Sequence, residues 1–221
     1  MLRYFLTGSY FRNLIYTVPA ILIAISVHEY AHGYVSYKLG DPTPKRDGRL
    51  TLNPFAHMDP AGTICLLLFR MGWAKPVRVN AACYKNKRTG LIMVSLAGPV
   101  MNYLAAFLVM LVYGFCYKNG YSWGIFFYYI ATVNIGLGTF NLIPISPLDG
   151  SNVLSELFPK VRYVYYRIRR YAPFILLGCM AIGILRWPMK QINSWILNGM
   201  WSAVRRMLEI GIKVPSAGLV V

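Results

Sequence analysis

Long uncharged runs separated by short basic segments set the pattern of this chain. No charge occurs between Arg12 and His28, and this run with HEYAHGYVSYKL (28–39) is long enough for one membrane-spanning helix, for which about 20 residues are needed. A polar, basic loop follows, GDPTPKRDGRLTLNP (40–54). Asp59-Pro60 then reads as a helix N-cap and first-turn proline. The next apolar run, AGTICLLLF (61–69), is too short to span; it reads as a re-entrant or interfacial element continued by MGWAKPVRVN (71–80). Thr89–Tyr117 is uncharged and crosses. After a turn at Lys118-Asn119-Gly120, residues 122–143 cross back. A basic stretch (159–170) precedes a short further span (172–185), and the mixed segment 191–210, with Arg205, Arg206 and Glu209, suits the membrane interface. The expectation is an all-α integral membrane protein, a bundle of about four to six transmembrane helices with a re-entrant or interfacial element after the first core helix. It forms a single domain over 1–221, with a core at about 15–155 and accessory helices at about 160–212.

Composition agrees. Of 221 residues, 57% are hydrophobic, which is high for a soluble domain. The excess of 23 Lys+Arg over 7 Asp+Glu would suit nucleic acid, but no aromatic-plus-basic RNA motif or DNA-reading helix accompanies it, so no nucleic-acid partner is expected. Basic loops flanking apolar helices instead set orientation. Residues 38–49 carry Lys38, Lys45, Arg46 and Arg49. Residues 70–88 carry Arg70, Lys75, Arg78, Lys85, Lys87 and Arg88, and Lys160, Arg162, Arg167, Arg169 and Arg170 follow. These belong on the cytoplasmic side and the Lys118 turn outside. Arg3 and Arg12 fit this less well and suit an interfacial helix. The cysteines Cys65, Cys83, Cys116 and Cys179 form no CxxC pair and read as small buried hydrophobes. Nothing resembles a cleaved signal peptide, since the first apolar run carries the chemistry.

That chemistry is the pentad HEYAH (28–32). His28 and His32, four residues apart, share one helix face and can bind one zinc ion; Glu29, one position on, can reach a metal-bound water as general base. Histidines and a glutamate inside a membrane helix are costly to keep without a use. Catalytic zinc takes three protein ligands and a water. The extended motif with glycine and histidine three and six residues beyond His32 is absent, because Val35 and Lys38 stand there. Asp41 and Asp47 lie in the basic loop and are expected to be solvated; Asp59 reads as a cap. Asp149 closes a long uncharged run on the same membrane side as HEYAH, in NLIPISPLDG (141–150), where Pro144 and Pro147 break the helix. It is the best third ligand by residue context, with an ordinary turn aspartate as the alternative. Asn102, midway through an apolar helix, is either interhelical glue or a group that orients a ligand or stabilises an oxyanion, and Asn141 has the same two readings. His57 supports a ligand, faces substrate or is structural. The aromatic cluster FFYY (126–129) reads as packing or an interface belt.

HEYAH in a first core helix, AGPVMN (97–102) in the next span and NLIPISPLDG after the third resemble the site-2 protease family of intramembrane zinc metalloproteases. GRLTLNPFAHMDPAG (48–62) and WAKPV (73–77) resemble its short bacterial members. The resemblance covers roughly residues 15–155. It implies that His28, His32 and Asp149 bind one Zn2+ per chain, that Glu29 is the base, and that Asn102 and Asn141 lie near the site. It also implies a multi-pass protein of the cytoplasmic (inner) membrane with its site near the cytoplasmic side, hydrolysing peptide bonds in or near transmembrane segments of single-pass or other membrane proteins, as in regulated intramembrane proteolysis. The substrate helix would unwind locally, for example by pairing with residues 70–80. Two departures stand out: no PDZ or CBS module accompanies the core, and Ser146 stands where many relatives have a second proline. The competing readings are a catalytically silent membrane scaffold and a metal-binding membrane protein.

Overall fold

The computed structural model describes residues 8–69 and 72–210, the side chains of 8–13 and 66–69 excepted. Arg3, Arg70 and the C-terminal tail lie outside the described residues, as does the side chain of Arg12. Among the described residues there is no β-strand, only an isolated antiparallel bridge between Met58 and Ala74. Helix α1 (Gly8–Lys38) is followed by the short turns α2 (Thr43–Arg46) and α3 (Pro54–His57), and by α4 (Pro60–Phe69). The long α5 (Lys87–Lys118) and α6 (Ile125–Asn141) form the centre. After them come α7 (Asp149–Leu157), α8 (Pro159–Ile168), α9 (Ala172–Ile182) and α10 (Arg186–Leu208).

Among the described residues three helical segments are long and apolar enough to cross a membrane: Leu14–Lys38, Lys87–Lys118 and Ser122–Asn141. A fourth results if α9 and α10, bent by 81° at their junction, count as one span. This is an all-α multi-pass membrane protein whose three or four spans among the described residues stand at or just below the lower end of the expected four to six. Its α5 illustrates why. Val100, Leu104, Leu108, Val112 and Phe115, at helical spacing, are exposed, whereas Gly98, Asn102, Ala106, Met110 and Tyr113 face inwards and are buried. An apolar stripe outside and polar atoms inside suit a helix whose solvent is lipid.

Two expectations for the C-terminal third change. Segment 172–185 yields a helix of 11 residues, about 16 Å long, too short to cross alone. Segment 191–210 does not lie apart from the bundle. Leu197, Trp201 and Val204 join Ala106, Met110, Tyr113, Ala131 and Ile135 in the apolar core. Trp201 packs on Tyr113 and Tyr117, and Lys118 Nζ donates to the Leu208 carbonyl at 2.8 Å, so α10 runs beside α5 in the same direction. The apolar residues at i, i+4 and i+7 supply the adhesive face.

As expected, Asp59 caps α4, accepting from Gly62 N–H at 2.9 Å. All four cysteines are free; Cys116 is buried as expected, whereas Cys83 is exposed. Asp41 corrects the expectation of a solvated loop acid: it is fully buried. Its carboxylate accepts from Ser36 Oγ (2.8 Å), Thr43 N–H (2.9 Å) and Asn80 N–H (2.7 Å), tying the end of α1 to the loop at one side and to residues 72–80 at the other. Burial pushes this carboxyl up, but the hydrogen bonds from Thr43, Asn80 and Ser36 outweigh it and hold it below the usual range. A depressed folded pKa stabilises above the unfolded value of about 3.9 and loses that contribution as pH falls through the folded value. Asp41→Asn is therefore expected to cost about 1–3 kcal/mol at neutral pH. The gap from wild type should narrow below about pH 4 in thermal unfolding of the detergent-solubilised chain.

Candidate metal centre

The site is assembled where α1, α5 and the start of α7 meet. Helical spacing puts His28 and His32 one turn apart on the face of α1 turned towards α5, and both are buried. The loop after α6 turns back, and Ser146–Pro147 is cis. Asp149 then begins α7. Gly150 fits there because a Cβ would lie 2.2 Å from the Leu142 carbonyl oxygen. The result brings His28 Nε2, His32 Nε2 and Asp149 Oδ2 together. The two nitrogens are 3.0 Å apart, and Asp149 Oδ2 is 3.2 Å from each. Among the described residues this is the one group of three or more His, Cys, Asp or Glu side chains able to hold a metal.

The polar surroundings decide which ring atoms are free. His32 Nδ1–H donates to the Val94 carbonyl at 2.7 Å, an acceptor with no alternative role. His28 Nδ1–H donates to Asn102 Oδ1 at 2.6 Å. In a neutral imidazole only one nitrogen carries a proton, so both Nε2 atoms present lone pairs to each other and to Asp149 Oδ2. That carboxylate oxygen is buried and has no hydrogen-bond partner. Three electron-rich atoms in contact repel unless a cation sits among them. Ligands about 2.0–2.1 Å from a tetrahedral zinc stand about 3.3 Å from one another, close to the observed triangle. Two imidazoles and a carboxylate, with a fourth position left over, are also the donor set of a catalytic zinc. The residues fit the metal.

Gly98 makes the close approach of α5 feasible. A Cβ there would stand 2.5 Å from His32 Nε2 and 2.6 and 2.7 Å from His28 Cε1 and Nδ1. Glu29, half-buried on the neighbouring face of α1, accepts the backbone N–H of Val77 at 2.8 Å. Val77 belongs to an extended strap, residues 72–80, which runs along α1, from Trp73 beside Ile21 and Ile25 to Asn80 at Asp41 just beyond the helix end. One side of it is held by the Met58–Ala74 bridge and by Lys75 N–H donating to the His57 carbonyl at 2.9 Å. At the other, Asn80 N–H reaches Asp41 and Arg78 pairs with Asp47.

The remaining sequence candidates separate. Asn102 is fully buried and bonded to His28. Asn141 turns its amide back on the Leu137 carbonyl of its own helix at 3.0 Å. His57 is fully buried, with Nε2 on the Thr51 carbonyl at 2.8 Å, and it lines a cavity of about 40 Å3 with Ile21, Ile25 and Trp73, outside the ligand triangle. Sequence reasoning reached Gly98 only as part of the small-residue run AGPVMN, since its role needs a partner helix to be understood, and it passed over Asn134, a fully buried asparagine in α6 that accepts from Asn102 Nδ2 at 2.9 Å. Asn134 carries the same signal as Asn102 and Asn141, an amide within an uncharged apolar run.

Comparison with known proteins decides the family. The profile of Peptidase family M50 matches residues 118–182, which include Asn134 and Asp149 but not HEYAH. A Bacillus subtilis protein, "Putative zinc metalloprotease YwhC", is 37% identical over 201 residues, 86% of this chain and 92% of that protein. The chain belongs to peptidase family M50. It is accordingly a membrane zinc metalloprotease, and this M50 chain matches more distant relatives too. "Zinc metalloprotease MJ0392" of Methanocaldococcus jannaschii is 27% identical over 164 residues, 72% of this chain and 40% of that protein. "Putative zinc metalloprotease Rip2" of Mycobacterium tuberculosis is 25% identical over 188 residues, 80% of this chain and 71% of that protein. No solved structure matches. The site-2 protease resemblance and the expected zinc cofactor are thus borne out at the level of the family.

Proposed function

We propose that this M50 peptidase hydrolyses peptide bonds in or beside the transmembrane segments of other membrane proteins, with His28, His32 and Asp149 as its zinc ligands and Glu29 as general base. The observation that carries the reading is the close triangle of His28 Nε2, His32 Nε2 and Asp149 Oδ2 between helices that suit lipid. Zinc bound there would polarise the scissile carbonyl and make water acidic enough to deprotonate near neutral pH. Glu29 then takes a proton from the attacking water and returns it to the leaving amine. Asn102 and the Val94 carbonyl keep both rings turned so that Nε2 faces inwards. A helical substrate hides its carbonyls in its own hydrogen bonds, so it must unwind to reach this group. The extended strap 72–80 beside Glu29 is the segment suited to pair with it.

Orientation follows from depth. His28 lies about 15 Å of helix rise from Lys38, and Val94 about 10 Å from Lys87. The site therefore sits nearer the helix ends that carry most of the Lys and Arg, which supports a site towards the cytoplasmic side of the cytoplasmic membrane. The whole chain acts as one membrane-embedded domain, since α7 supplies a ligand and α10 shares the core of α5 and α6.

The metal assignment is tested without a substrate. Elemental analysis of the purified chain is expected to give about one zinc per chain, lost in both His28→Ala and Asp149→Ala. Zinc retained in Asp149→Ala would move the third ligand elsewhere, with His57 the next to vary.

A further inference from the structure

Asn134 does not touch the ligand triangle, yet its position in the hydrogen-bond network has a consequence for it. Its Nδ2 donates to the Ile130 carbonyl on its own helix at 2.9 Å, which turns its Oδ1 towards α5. Asn102 Nδ2 has two protons and gives one to that Oδ1 at 2.9 Å and the other to the Ala24 carbonyl of α1 at 3.0 Å. Both partners only accept. Asn102 is left to present Oδ1, and not its NH2, to His28 Nδ1. Every amide orientation in the chain from Ile130 to His28 is therefore determined.

The reverse orientation shows what this prevents. A flipped Asn102 would set its oxygen against Asn134 Oδ1 and the Ala24 carbonyl, leaving buried acceptors unsatisfied. It would also donate to His28 Nδ1, move the ring proton to Nε2 and remove a metal ligand. We propose that Asn134 is a positioning residue for the zinc ligand His28: together with the Ala24 carbonyl it locks the Asn102 amide, and the locked amide selects the His28 tautomer whose Nε2 is free to bind metal. The proposal rests on the ligand assignment made above. Hydrogen-bonded partners of ligating histidines fix ring tautomer and orientation, and their loss costs roughly 10–100-fold in metal affinity.

A merely adhesive asparagine between α5 and α6 would behave differently, and a control exists on the same two helices. Tyr103 and Thr139 share a hydrogen bond of 3.0 Å that joins α5 to α6 without reaching His28. The test measures zinc affinity of the full-length chain in detergent by competition with a chromophoric chelator. It compares wild type, Asn134→Leu, Asn102→Leu, the double variant and Thr139→Val, with Asn134→Ala as the smaller replacement should Leu prevent folding. The proposal expects Asn134→Leu to bind zinc roughly 10–100-fold more weakly. It expects the double variant to be no weaker than Asn102→Leu alone, because Asn134 acts through Asn102, and Thr139→Val to match wild type. Wild-type affinity in both Asn134 variants would overturn it. So would losses that multiply in the double variant, or an equal loss in Thr139→Val, which would mark general loosening of the α5–α6 contact. His28→Ala is run alongside: zinc retained there would sink the ligand assignment itself, whereas zinc lost there but unchanged in the Asn134 variants would sink only the present proposal.

Discussion

Glu29→Gln is expected to lower peptide-bond cleavage by at least about 10²-fold, within the 10²–10⁴ range that a general base contributes, while the chain keeps its zinc. The substitution changes one oxygen to an amide nitrogen and leaves the shape intact. Gln can still accept the Val77 N–H through its carbonyl, so the strap stays where Glu29 holds it. The three proposed ligand atoms belong to other side chains. What is lost is the capacity to take up a proton. The measurement pairs cleavage of a model transmembrane substrate in detergent or liposomes with zinc content of the same preparations. Full cleavage by a zinc-loaded variant would remove Glu29 from the mechanism. Loss of zinc together with cleavage would instead assign Glu29 to holding the site together.

Gly98→Ala is expected to do the opposite, weakening zinc binding although every proposed ligand and the base keep their chemical identity. The added methyl falls 2.5–2.7 Å from atoms of His28 and His32, nearer than carbon can approach without displacement. Neither ring can swing aside cheaply, because each is tethered at Nδ1, one to Asn102 and one to the Val94 carbonyl. Relief requires α5 to move from α1 or the rings to leave the triangle. Overpacking of this kind costs about 1–3 kcal/mol, and zinc affinity is expected to fall at least roughly tenfold, comparable to losing a partner of a ligating histidine. Gly178→Ala is the control, since a Cβ there meets nothing within 4 Å. Its melting temperature should match or exceed wild type, as expected for Gly→Ala in an open helical position. A Gly98→Ala chain with normal zinc affinity would show that α1 and α5 can separate without cost.

The competing readings part company on these variants. A silent scaffold predicts no cleavage from wild type for Glu29→Gln to remove. A metal carrier tolerates Glu29→Gln without loss, since its zinc is cargo.

The sequence by itself determined the class of molecule and the chemical kind of its site. Uncharged runs of spanning length dictate helices in lipid, because backbone polar groups have no other partner there. A His-x-x-x-His spacing puts two imidazoles on one helix face and the adjacent Glu on the neighbouring one, because the helix repeat is local. Asp149 was legible for a related reason: an acid that ends an uncharged run and follows two prolines stands out without a structure. The short α9, the bend before α10 and the packing of Leu197, Trp201 and Val204 on α5 and α6 were not legible, since composition reports apolarity but not which neighbour covers it. Asp41 was misread for a similar reason. Its loop looks solvated in sequence, but the strap and the end of α1 close over it and supply its donors. Only the tertiary structure decided that Gly98 is the gap through which α5 approaches the histidines, that Val77 N–H rests on Glu29, and that Asn134 continues the chain of amides behind His28, while Asn141 turns back on its own helix. Each of these depends on atoms far apart in the chain, and often on backbone groups that every residue type carries, so no residue pattern announces them.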